Sequence, residues 1–107
     1  MLSTVVNELN EHTHKIWLIG DDGVNIESVE SPCGNKTYGG CARFGGPIQL
    51  KRGYKSEMLK RLMLHEIGHA YGLSHNKKDV CDIMFITVSL CKKMNYNSFY
   101  RKLNTIL

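Results

Sequence analysis

No apolar run in this chain of 107 residues approaches the roughly 20 needed to cross a bilayer. Residues 1–14 are polar and patterned and lack the apolar centre of a secretory signal, so a cytoplasmic protein that does not span a membrane is expected. None of the four cysteines forms a C-x-x-C pair, which argues against a structural zinc site built from them. The formal net charge is only +4, and its densest basic spots are Lys51-Arg52-Gly53-Tyr54-Lys55 and Lys77-Lys78. Neither a binding-module signature nor an aromatic-basic series accompanies them, so they read as solvated surface and no nucleic-acid partner is expected. The length fits one domain, residues 1–107, without a prodomain. Such a chain buries about two-thirds of its unfolded surface. A metal site formed only in the folded state would therefore contribute to folding as well as to chemistry.

What the chain does carry is concentrated in His65-Glu66-Ile67-Gly68-His69-Ala70-Tyr71-Gly72-Leu73-Ser74-His75, an H-E-x-x-H-x-x-G-x-x-H pattern. His65 and His69 are four residues apart, so a helix stacks both imidazoles on one face. Glu66 points about 100° away around that helix, which suits it to hold a water rather than to ligate. Gly72 allows the backbone to leave the helix and turn back, bringing His75 to complete a three-histidine set. Three imidazoles and one open position are the arrangement of a catalytic zinc, not a structural one.

These eleven residues resemble the signature of the metzincin zinc metallopeptidases, which also carry a methionine-containing turn beneath the metal. Here Cys81-Asp82-Ile83-Met84 follows, with Met84 nine residues after His75. The resemblance implies His65, His69 and His75 as ligands of one Zn2+, Glu66 as catalytic acid/base and Met84 as the Met-turn residue. It is specific over residues 65–84 and architectural elsewhere. It further implies a zinc-dependent endopeptidase that hydrolyses peptide bonds with a metal-activated water, Glu66 taking and returning the proton. The expected fold is α+β, a minimal metzincin-like domain with a small twisted mixed sheet, an active-site helix, a Met-turn and a C-terminal helix. Residues 1–75 would form its upper part and residues 76–107 its lower part. Some metzincins place a tyrosine two residues after the Met-turn methionine. That position is Ile86 here, which leaves Tyr96 or Tyr100 as replacements. A cysteine directly after the third histidine, as in archaemetzincins, is also missing, since Asn76 stands there.

Cys33, Cys41, Cys81 and Cys91 leave two readings open. In a reducing cytoplasm they are free thiols, whereas their spacing suits two local disulfides, 33 with 41 and 81 with 91. Leu2, Val5, Val6 and Leu9 predict a first helix, and Ile16-Trp17-Leu18-Ile19 a buried strand. His12 and His14 lie beyond that helix face and read as exposed. Further strands are expected over Val24–Val29, Cys41–Phe44 and Ile48–Leu50; the metzincin resemblance implies that the third of the four is the antiparallel edge above the metal, which an extended peptide can join. Ser56 is the expected cap of the motif helix, with Met58 and Leu62 on the histidine face and Leu59, Met63, Ile67 and Ala70 on a second apolar stripe. Phe99, Leu103 and Ile106 or Leu107 predict a closing helix capped by Ser98.

A protein or peptide is the expected substrate. Two other readings compete: a non-catalytic, zinc-stabilised binding protein, for which Glu66 has no use, and a basic nucleic-acid-binding domain, which leaves the motif unexplained. A cytoplasmic protease without a prodomain needs restraint. Narrow specificity or self-blocking by homo-oligomerisation would supply it.

Overall fold

A computed structural model describes residues 1–88 and 91–107. Its architecture is α+β, with three α-helices and a three-stranded mixed sheet. The first helix, α1 (Leu2–His12), buries Val5 and Leu9, and Leu2 packs partly against the core, as their helical spacing requires. Thr13 ends it by accepting an extended backbone, and its N–H and Oγ1 both donate to the Leu9 carbonyl.

The run Ile16–Ile19 corrects the expectation of a strand. It lies outside the sheet, with Ile16 80% and Leu18 86% exposed. The reason is local. Asn10 takes both main-chain groups of Trp17, accepting from its N–H at 2.7 Å and donating to its carbonyl at 3.0 Å. The indole donates to Thr13 Oγ1 and meets Tyr71 edge-on, so Trp17 alone of the four turns inward. A side-chain amide thus occupies the position of a neighbouring strand.

The sheet consists of β1 (Ile26–Val29), β2 (Gly40–Ala42) and β3 (Ile48–Lys51), in the order β1-β3-β2. β1 runs parallel to β3 with Ile26 beside Ile48, and β2 antiparallel with Cys41 beside Gln49. Ile48 and Leu50 alternate with half-buried Gln49 and Lys51, the period-2 pattern of a one-sided strand. A disulfide joins Cys33, in a short 3-10 turn at Pro32–Gly34, to Cys41 in β2. A second joins Cys81 to Cys91, so the local pairing is the one formed.

The second helix, α2 (Ser56–Ala70), packs against β2, β3 and α1. Leu62, Met63, Leu64, Ile67 and Ala70 are buried, which seats the histidine-bearing helix in the core. Ser56 does not cap it: its φ is +52°, Lys55 is the cap residue, and no side-chain capping hydrogen bond forms among the described residues. Buried Arg61 extends from α2 to the carbonyls of Cys91 and Lys92 at 2.7 and 3.0 Å, anchoring the segment that leads into the third helix. The third helix, α3 (Tyr96–Ile106), buries Phe99, Tyr100 and Leu103. Its cap is Asn95, whose side chain accepts from the Ser98 N–H, in place of the expected Ser98. Ile106 is exposed because the buried face ends one turn earlier. Among the described residues no helix is long and apolar enough to cross a membrane.

Candidate metal centre

The motif does locally what its spacing predicts. His65 and His69 project from one face of α2 with their Nε2 atoms 3.1 Å apart. At the helix end Gly72 adopts φ +106°, closed to most L side chains, and its N–H donates to the His69 carbonyl. The Leu73 N–H donates to Gly68, so the chain reverses and brings His75 Nε2 to 3.0 Å from His69 Nε2. The ligand atoms of all three histidines lie within 4.8 Å of one another, the only such group among the described residues. His12 and His14 take no part and are exposed, His12 stacking on Tyr100.

The tautomers follow from the carbonyls. His65 Nδ1 is 2.6 Å from the Ile83 oxygen and His69 Nδ1 is 2.8 Å from the Leu73 oxygen. A carbonyl only accepts, so each Nδ1 carries its proton and each Nε2 presents a lone pair to the other. Two acceptors at 3.1 Å repel unless a cation lies between them. Nitrogens bound tetrahedrally at about 2.0–2.1 Å stand about 3.3 Å apart, close to the spacing here. The donor set therefore fits a divalent ion that takes imidazole. Burial pushes His65 down to about 4, the Ile83 carbonyl opposing this and the other two imidazoles adding to it. His75 is also lowered, by burial, His69 and Lys77. Protons thus compete weakly for these nitrogens near neutrality.

Glu66 is buried and faces β2. Burial raises its carboxyl to about 7. It and the three histidines line a cleft of about 800 Å³, together with Gly40 and Ala42 of β2, Tyr54, Met58 and Leu62. β2 is an edge of the sheet, so the main chain beside Glu66 belongs to a strand paired on one side only by β3.

Met84 is buried against α2, and Gly68 permits its approach: a Cβ there would stand 2.5 Å from Met84 Sδ and 3.1 Å from the Phe99 ring. Neither proposed tyrosine reaches the centre. Tyr96 donates its hydroxyl to Glu57 and Tyr100 to Glu8, because α3 turns that face toward α1 and the start of α2. Tyr38 and Tyr54 line the cleft instead. Two residues of this region, Gly40 and Asp82, carry only faint marks in the sequence. Gly40 left a signal in the Gly39-Gly40 pair, which marks close approach of backbone, and Asp82 left one as a lone acid amid apolar turn residues. No protein-family model, curated protein or solved structure matches the chain.

Proposed function

We propose that this chain is a zinc-dependent endopeptidase of the metzincin type. The observation that carries this reading is the convergence of three imidazole Nε2 atoms beside one buried carboxylate at the wall of an open cleft. His65, His69 and His75 would hold the ion. Zinc so held supplies Lewis acidity, which polarises a carbonyl and makes water more acidic.

The remaining work falls to the protein. The Ile83 and Leu73 carbonyls keep the Nδ1 protons in place and so aim two imidazoles. β2 offers main-chain groups on its free edge, along which an extended peptide would be aligned. Glu66, raised toward neutrality, accepts a proton from the attacking water on a carboxylate oxygen and returns it to the nitrogen of the departing chain. Leu62 and Met58 exclude water from one side of that exchange.

The test is cleavage of a panel of unfolded proteins by zinc-loaded protein, beside Glu66→Ala and a chelated sample. Cleavage abolished in both controls supports the endopeptidase. Zinc binding without cleavage at any protein concentration would instead favour a zinc-stabilised binding protein, in which Glu66 has no chemical task.

A further inference from the structure

Two of the three histidines are set by one helix, and the third is not. His75 lies beyond α2 and is exposed, so its position depends on what holds the chain after it. The next residue, Asn76, is fixed twice: its N–H donates to the Met84 carbonyl at 2.8 Å, and its Nδ2 to Asp82 Oδ2 at 2.9 Å. Asp82 is 1% exposed. Its Oδ1 accepts the Met84 N–H at 2.8 Å, and Lys102 of α3 donates to Oδ2. Between Asp82 and Met84 lies Ile83, whose carbonyl orients His65. One three-residue turn therefore grips two ligands that are ten residues apart in sequence and belong to different segments.

We propose that Asp82 is a positioning residue of the histidine centre, fixing His65 through the Ile83 carbonyl and His75 through Asn76. The inference rests on the metal-binding reading of that centre. Among the described residues Asp82 forms no hydrogen bond with either ligand; it acts through the turn. Its chemistry is specific to a carboxylate. Three donors point at its two oxygens, from Met84, Asn76 and Lys102. An asparagine there would turn an NH2 group against at least one of those donors, so even the isosteric change breaks the arrangement. Loss of groups that orient metal ligands typically weakens metal binding about 10- to 100-fold.

Zinc affinity of the full chain, measured by competition with a chromophoric chelator, tests this, together with the visible spectrum of the cobalt-loaded protein. Asp82→Asn and Asn76→Ala are compared with wild type, and the stability of each metal-free chain is recorded. The second variant leaves the Met84 and Lys102 bonds to Asp82 in place and serves if the first does not fold. The expected result is zinc binding weakened about 10- to 100-fold by Asp82→Asn, and in the same direction by Asn76→Ala, with an altered cobalt spectrum. Unchanged zinc affinity and spectrum in folded variants, whatever their loss of stability, would overturn the proposal and leave Asp82 a structural residue. Failure of the wild-type chain to bind zinc would overturn the metal reading itself, and this inference with it.

Discussion

The backbone of Gly40 lies directly against the carboxylate of Glu66. A Cβ at Gly40 would stand 2.8 Å from Glu66 Oε2 and 2.9 Å from its Cγ, closer than real Cβ contacts come. The edge strand and the proposed base thus share one surface without room for a methyl group between them.

Gly40→Ala should therefore displace the Glu66 carboxylate while leaving the histidines in place. The expected outcome is peptidase activity lower by about 10²-fold with zinc affinity unchanged, since small misplacement of a reacting group costs about that much. Glu66→Ala should lower turnover by about 10²–10⁴-fold, the usual contribution of a positioned acid or base. Steady-state kinetics beside zinc titration separates the two quantities. Loss of zinc binding in Gly40→Ala would show that the strand supports the ligands instead.

Gly68→Ala opposes two effects. Alanine is favoured over glycine in a helix by about 1 kcal/mol. Its Cβ would meet Met84 Sδ and the rigid ring of Phe99, both fully buried. Overpacking of a filled core costs about 1–3 kcal/mol, so the net change should be destabilising, read as a lower urea midpoint. A rise in the midpoint would mean that Met84 swings aside without cost.

Chelation should lower the melting temperature. At free zinc of about 100 times Kd, binding stabilises the native chain by about 2.7 kcal/mol, or about 10–20 °C for a domain near this size. His75→Ala should lose most of that difference, because the remaining pair makes a poorer site. Thermal melts with and without chelator check both, and an equal zinc response in His75→Ala would remove it from the ligand set.

The pH dependence of stability should carry the mark of Asp82. Burial pushes its carboxyl up, but the Lys102, Met84 and Asn76 donors pull it down further, leaving it below the ordinary aspartate value. The folded chain therefore binds that proton less readily than the unfolded one. Its stabilising contribution is complete above about pH 4 and is lost as pH falls through the lowered native value. Urea titrations of the metal-free protein should show wild type losing more stability below pH 4 than Asp82→Asn. At pH 7 the variant should be less stable by about 1.5–3 kcal/mol, the range for hydrogen bonds to a charged group. Parallel curves would place the carboxylate outside that linkage.

The histidine triad was legible in the sequence because its geometry is local: a four-residue helical step and one glycine turn carry most of it. The local disulfides were legible as one of two options, since ten residues or fewer separate each pair. Ile16–Ile19 was not, because its fate turns on Asn10, a side chain competing for main-chain groups that apolar patterning cannot register. Ser56 and Ser98 were natural caps by residue type. Backbone angles at Ser56, and the reach of Asn95 one turn back, decided otherwise. Asp82 escaped because its three donors come from residues 76, 84 and 102, and the last lies on another element.

The exposed run at Ile16–Ile19 has a consequence for handling the protein. Aliphatic side chains stand in solvent there, on a stretch whose other main-chain groups have no main-chain partner among the described residues. Such a stretch is adhesive toward extended chains. Lys15 precedes it and Asp21 and Asp22 follow it closely, charges that act as gatekeepers against stacking. Neutralising those three charges is therefore expected to shorten shelf life in concentrated solution, a change that light scattering would follow.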